Sequence, residues 1–94
     1  MTAAELTALR EARGYASAGR IQILPHARAR MIQRGATPYD VRRALSSATK
    51  CVDQRADRSR DADWRLVGLD GRGNPWCCAV SFEGSLVLFT VHGA

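Results

Sequence analysis

The chain has 94 residues, of which 46% are hydrophobic and 24% charged, and its formal net charge is +5. A chain of this length buries one hydrophobic core, and the composition is that of a globular protein rather than a disordered or fibrous one. The longest apolar runs, residues 76–80 and 86–89, are too short to cross a bilayer, and a polar segment follows Met1. We therefore expect one domain over residues 1–94, located in the cytoplasm, with no membrane contact.

The three cysteines, Cys51, Cys77 and Cys78, are predicted to be reduced packing residues. Their number is odd, and the adjacent Cys77 and Cys78 would point to opposite faces of a strand. A zinc site needs spaced pairs of ligands, which are missing here. A glycine-rich phosphate loop followed by a helix is missing too. We therefore expect neither a metal nor a cofactor.

The first 25 residues predict one helix and a short extended segment. Thr2 and Glu5 form a capping-box pattern, and leucine and alanine follow at helical spacing within residues 1–18. The apolar face of this helix is expected to pack on a sheet, although such a face could also receive a partner. Residues 21–24 are β-prone and lead into Pro25, which suits the first turn of a new helix.

The predicted second helix, residues 25–34, carries an apolar stripe and a charged stripe. In the charged stripe, His26, Arg30 and Arg34 recur every four residues. An imidazole one turn from a guanidinium places a proton-transfer group beside fixed positive charge, as phosphodiester cleavage requires. The alternative is a structural histidine beside ordinary surface arginines.

Positive charge is concentrated between residues 20 and 43. Such a basic face attracts phosphates. Lys50 is the only lysine, so nearly all of the positive charge comes from arginine, which indicates a bias in composition. Most of these arginines are therefore explained as ordinary solvated surface residues. Asp40 is the only acidic residue in this stretch. The arginines of the stretch are Arg20, Arg28, Arg30, Arg34, Arg42 and Arg43.

The rest of the chain predicts a third helix and an antiparallel sheet. Thr37 and Pro38 are typical of an N-cap and a first helical position. After residue 49 the apolar period changes to two. Short connections favour an antiparallel meander, with the helices on one face and the other face left for chemistry or a partner. The sequence therefore predicts an α+β fold with strands at residues 50–54, 64–70, 76–82 and 86–92 and an exposed loop at residues 57–63.

Residues 26–41 resemble the opening of a small bacterial domain-of-unknown-function family related to the RelE and MqsR toxins. The shared pattern is a histidine, an Arg-Met pair, an Arg-Gly pair, a capping Ser or Thr and a helix with valine. The resemblance covers about residues 21–92 and implies a RelE-like fold. It also implies metal-independent cleavage of messenger RNA by a toxin that a cognate antitoxin protein neutralises. That chemistry needs a proton acceptor, a proton donor and cations near a phosphate attacked by a ribose 2′-hydroxyl.

The resemblance also implies the candidate site residues. His26 matches the family's helix motif as general acid or base, whereas Arg65 and His92 are placed by their positions in the strands. The family's better-studied members carry more lysine, and both tyrosines here, Tyr15 and Tyr39, lie in predicted helices. The expected catalytic residues are His26, Arg30, Arg65 and His92, and the expected phosphate-binding residues are Arg28, Arg34 and Lys50.

Two other functions remain alternatives. A non-catalytic interaction domain would use the same basic face to bind protein or nucleic acid. In that case His26, Arg30 and Arg65 would be held in salt bridges, with Asp53 or Asp63 as partners for Arg30, and no cleft would form. The second alternative is a toxin-like domain that acts on another nucleotide-containing substrate.

Overall fold

The computed structural model describes residues 1–93, and within them it contains three helices and a five-stranded sheet. The sheet order is β1-β5-β4-β3-β2. Strands β2 to β5 form an antiparallel meander, and β1 pairs in parallel with β5. The predicted α+β class, with helices packed on the sheet, is confirmed. The elements are α1 Ala3–Ser17, β1 Ile21–Ile23, α2 Pro25–Arg34, α3 Pro38–Ser46, β2 Lys50–Asp53, β3 Trp64–Leu69, β4 Pro75–Phe82 and β5 Leu86–Gly93.

The helices begin at the predicted signals, and α2 also ends at its predicted glycine. The hydroxyl of Thr2 accepts from the Glu5 N–H, and the Glu5 carboxylate accepts from the Thr2 N–H at 2.7 Å. Thr37 and Asp40 repeat this arrangement at α3. Helix α2 lacks a side-chain cap, but it starts with proline and ends at Gly35, whose φ of 68° is left-handed. Each side-chain cap stabilises its helix by about 1 kcal/mol.

The hydrophobic core lies between the sheet and the three helices. Leu66, Val80 and Leu88 project from three neighbouring strands onto this face and are almost fully buried. Helix α3 approaches β3 so closely that a Cβ on Gly68 would lie 1.8 Å from the carbonyl oxygen of Ala44. Only glycine therefore fits at this point of contact.

Two arginines of the basic stretch connect elements of the fold. Arg42 of α3 donates to the carbonyl of Ala16 at 3.0 Å and to that of Ser17 at 2.8 Å. These bonds occupy carbonyls in the last turn of α1, where the Ala16 carbonyl also accepts from the Gly19 N–H at 3.0 Å. Arg20 donates to the Gly84 carbonyl at 2.7 Å. Part of the positive charge is therefore structural.

Strand β5 contains one extra residue, Phe89. The register between β4 and β5 shifts between Ala79 and Val80, and Phe89 has no Cα partner in β4. An extra residue reverses the alternation of side chains beyond it. As a result Val91 is buried on the helix face, while His92 projects from the opposite face.

The sheet differs from the prediction in its edge strand β1 and, by one residue each, in the bounds of the other four strands. The β-prone segment Ile21–Ile23 is a true edge strand, so the sheet is mixed rather than purely antiparallel. Strand β2 ends at Asp53, although the Gln54 N–H still donates to the Asp63 carbonyl at 2.8 Å in the register of the β2–β3 pair. Among residues 1–93, no helix is long and apolar enough to cross a membrane.

All three cysteines are buried, free thiols, as predicted. Cys51 and Cys78 lie in the core, and burial raises the pKa of Cys51 to about 11 and that of Cys78 to about 12. Cys77 projects to the other face of β4, because neighbouring residues of a strand alternate. The thiols of Cys51 and Cys78 are therefore protonated at neutral pH and serve as small apolar packing groups.

Candidate active site

A cleft of about 790 Å³ opens on the sheet face opposite α1 and α3. Its floor includes Arg65 of β3, Cys77 of β4 and His92 of β5. The start of α2, with His26, forms one wall, and the loop between β2 and β3 forms another. Three of the residues predicted to be catalytic, His26, Arg65 and His92, therefore line one cavity.

Strand register brings Arg65 and His92 onto the same face. Cys77 pairs with Val67 on one side and with His92 on the other. Because side chains alternate, Arg65 shares the face of Val67, two residues further along the strand. The side chains of Arg65 and His92 consequently flank the central strand β4.

The position of His26 is set by the start of α2. The Leu24 N–H donates to the Leu88 carbonyl at 3.1 Å, which continues the parallel pairing of β1 with β5 into the first turn of the helix. Ala27 and Met31 of α2 then pack into the core. The neighbouring stripe of the helix, beginning with His26, is left on the side of the cleft.

A second depression of about 270 Å³ lies between α2 and β5. It is lined by Arg30 and Arg34 together with the end of β5, including Thr90 and His92. Thr90 and His92 also line the main cleft, so the two depressions adjoin. The charged stripe of α2 thus follows β5, and His92 lies where the two depressions meet.

The charged side chains of this region are available to a ligand. Within residues 1–93, His26, Arg30 and Arg65 make no hydrogen bond or salt bridge through their side chains. Asp53, named as a possible partner of Arg30, is instead paired with Arg55 at 2.8 Å. The salt bridges expected of an interaction domain are absent from the described residues, and a cleft is present.

One hydrogen bond fixes the orientation of the His92 ring. Its Nδ1 lies 3.0 Å from the carbonyl oxygen of Gly93. A carbonyl oxygen only accepts, so this contact assigns a proton to Nδ1. In the neutral ring Nε2 then carries the lone pair and accepts a proton from a ligand.

The cleft contains residues that the sequence did not single out. Phe89 and Thr90 of β5 line it, because the extra residue in that strand turns both towards this face. Arg60 lines it from the loop that we predicted to be solvated, and pairs at 3.5 Å with Asp57. A long polar loop between two strands was the only sequence signal for Arg60.

Two predicted phosphate-binding residues lie outside both depressions. Arg28 is exposed on α2 but belongs to neither lining. Lys50 lies on the edge strand β2, where it pairs with Val67. Its side chain shares the face of the cleft but does not line it.

The lining has a net positive charge and holds one carboxylate, that of Asp61. Burial raises the pKa of the Cys77 thiol, while the nearby charges of Arg65 and Arg60 lower it to a smaller extent. A protonated thiol is a poor nucleophile, so Cys77 is not suited to covalent catalysis. Residues 1–93 contain no group of three or more His, Cys, Asp or Glu side chains that could hold a metal ion.

Comparison with known proteins identifies no relative. No family model, no curated protein and no solved structure matches the chain. The resemblance to the RelE and MqsR toxins is therefore carried by the pattern in residues 26–41 and stays a prediction. The function has to follow from the chemistry of the cleft itself.

Proposed function

We propose that this protein is a metal-independent endoribonuclease that cuts messenger RNA in the cytoplasm, as the toxin of a bacterial type II toxin-antitoxin pair. One observation carries the proposal: both histidines of the chain line the same cleft, beside Arg60 and Arg65. Two imidazoles supply a base and an acid, and the guanidinium groups oppose the charge of a phosphate.

The proposed reaction is an attack of the ribose 2′-oxygen on the adjacent phosphorus. Nε2 of His92 accepts the proton of the 2′-hydroxyl, because Nδ1 holds its own proton against the Gly93 carbonyl. His26, in its protonated form, donates a proton to the 5′-oxygen as the bond from phosphorus to that oxygen breaks. Arg65 stabilises the additional negative charge of the pentavalent intermediate. The products carry a 2′,3′-cyclic phosphate and a 5′-hydroxyl.

The adjoining depression offers a binding place for a second phosphate of the substrate. Arg30 and Arg34 line it without reaching the main cleft, whereas His92 lines both. We assign the arginines to a neighbouring phosphate of the same strand, which makes a polynucleotide the substrate rather than a mononucleotide. An antitoxin that neutralises the protein would have to cover this cationic region.

The test is incubation of the purified protein with end-labelled RNA in excess chelator. The wild type is compared with His26→Ala, His92→Ala and the control Arg28→Ala, which removes an exposed charge from the same helix as His26. We expect cyclic phosphate ends from the wild type and the control. Loss of a general acid or base lowers the rate by about 10² to 10⁴ fold, and each histidine variant should show it.

Ribosome dependence is tested by repeating the assay with translating ribosomes. If the wild type leaves both naked and ribosome-bound RNA intact, the proposal is wrong. A non-catalytic domain that binds protein or nucleic acid would then take first place, although with charged side chains that lie open in a cleft and not in the salt bridges expected of it. Cleavage that is equal in all four proteins would exclude the histidine mechanism.

A further inference from the structure

Phe89 is an aromatic side chain in the cleft that contributes little to the core. It is half-buried and lines the cavity together with Leu24 and Thr90. Among the described residues, Phe82 of the neighbouring strand packs against the hydrophobic core, whereas Phe89 does not belong to that group. A large apolar side chain that faces a cavity instead of the core is available to a ligand.

The bulge in β5 determines that the Phe89 side chain faces the cleft. Phe89 is the residue without a Cα partner in β4, and both it and Thr90 line the cleft although they are adjacent in the chain. Regular alternation would send neighbouring side chains to opposite faces. Bulges commonly redirect a side chain beside an active site. The irregularity thus places an aromatic group beside the cationic floor.

Phe89 and His92 are three residues apart on one strand, or about 10 Å along the backbone. An aromatic surface beside cationic groups is the combination that binds single-stranded nucleic acid, in which the bases stack and the backbone lies along positive charge. Leu24 adds apolar surface beside the ring, because the parallel pairing of Ile23 with Leu88 leads it towards Phe89.

We propose that Phe89, flanked by Leu24, is a subsite for one unpaired nucleobase of the RNA whose phosphate lies at His92 and Arg65. This inference deepens the proposed function and rests on it. A base within a duplex is stacked on its neighbours and cannot reach the ring, so the substrate is single-stranded RNA. Stacking on phenylalanine tolerates any base. The subsite therefore distinguishes single-stranded from double-stranded RNA and does not distinguish one base sequence from another.

The test measures binding rather than cleavage. The probe is a fluorescent single-stranded 2′-O-methyl RNA, in which the blocked 2′-oxygen prevents attack, and a second probe has the same backbone with abasic sites. Fluorescence anisotropy gives affinities for the wild type, Phe89→Leu and Phe89→Trp. The control Phe82→Leu makes the same substitution at a residue outside the cleft.

We expect Phe89→Leu to bind the base-bearing probe roughly 5- to 150-fold more weakly than the wild type, which is the range for loss of one stacked base. Phe89→Trp should bind as the wild type does, which also shows that a change at this position still permits folding. The abasic probe should bind all four proteins equally. Phe82→Leu should leave both affinities unchanged.

The base subsite is wrong if the wild type does not bind the probe or if Phe89→Leu binds it as tightly as the wild type. Equal weakening of both probes by Phe89→Leu also overturns it, because the ring would then act on the backbone or on the fold. Failure of the ribonuclease proposal can be told apart from failure of the base subsite. A wild type that cleaves nothing can still bind the probe in a way that depends on Phe89. Cleavage with no dependence of binding on Phe89 would overturn the subsite alone.

Discussion

Arg65 occupies the cleft floor through strand register and has no acidic partner among the described residues. Its charge is therefore available to a phosphate rather than held by a neighbouring carboxylate. The guanidinium presents several N–H donors in a fixed plane, which suits the equatorial oxygens of a pentavalent phosphorus. The contribution of Arg65 should thus appear in the chemical step more than in binding.

Replacing Arg65 with alanine should lower the rate of RNA cleavage by about 10² fold or more. Lys50→Ala is the matched control, because it removes one positive charge from the same face of the sheet outside the cleft. Single-turnover rates at saturating RNA measure the effect. Equal losses in the two variants would mean that net charge alone matters.

Asp70 organises the turn between β3 and β4. Its carboxylate accepts from the indole N–H of Trp76 at 2.8 Å, and it also accepts from the backbone N–H groups of Arg72 and Asn74. These bonds, with the indole bond contributing most, lower the pKa of Asp70 from 3.8 to about 2. The ionised form is therefore favoured in the folded protein more than in the unfolded chain.

The stability contributed by ionised Asp70 should be fully present above pH 3.8 and lost as the pH falls from there towards 2. Asp70→Asn should accordingly be less stable than the wild type at about pH 6, with a smaller difference near the acid end of this window. Urea unfolding curves at several pH values measure this. An unchanged difference over the whole window would contradict the assignment, and the exposed Asp61→Asn serves as control.

At the scale of elements, the approach of α3 to β3 limits what the sheet can accept. The missing side chain at Gly68 allows the backbone of Ala44 to come near. The helix therefore rests on the strand at this position without an intervening side chain. Any methyl group there must displace the backbone of α3, which no change of rotamer can avoid.

Gly68→Ala should lower the free energy of unfolding by about 3 kcal/mol or more, at or above the upper end of overpacking costs. Gly71→Ala is the control, since a Cβ there would lie 3.6 Å from the Tyr39 ring, an ordinary contact distance. We expect the control to change stability by less than about 0.5 kcal/mol. Denaturant unfolding gives the free energy of unfolding of both variants. Similar losses of stability in Gly68→Ala and Gly71→Ala would contradict the steric argument.

Local signals predicted the helices well, and the sheet less completely. Pro25 and Gly35 bound α2 as expected, because both act through backbone conformation at their own positions. The extra residue in β5 has no such local signal. Strict alternation from Leu86 would place His92 on the buried face, so its position in the cleft depends on Phe89. Register irregularities follow from tertiary packing, which periodicity alone does not contain.

At the scale of the whole molecule, the formal charge of +5 is distributed unevenly. Arg42 and Arg20 are engaged with backbone carbonyls, so their charge serves the fold. Arg30 and Arg34 line the depression that adjoins the cleft. Composition indicated a basic face, but the division between structural and available arginines could be read only from the tertiary contacts.

RNA affinity should fall with salt because bound phosphates release counterions. Each neutralised phosphate of a single strand contributes about −0.7 to the slope of log affinity against log salt concentration. Arg30→Ala should make this slope shallower by about that amount for the 2′-O-methyl probe. Arg28→Ala, on the same helix but outside the depression, should leave the slope unchanged. If Arg30→Ala has the same salt slope as the wild type, Arg30 does not contact a phosphate of the RNA.

The parallel pairing of β1 with β5 joins an early segment of the chain to a late one. During translation, Ile21–Ile23 and α2 leave the ribosome well before β5 exists, so the start of α2 has no strand to dock against. His26 and His92 come together only after β5 has emerged. A growing chain therefore lacks the assembled cleft, and the proposed nuclease activity would begin only after the strand that completes the sheet has been made.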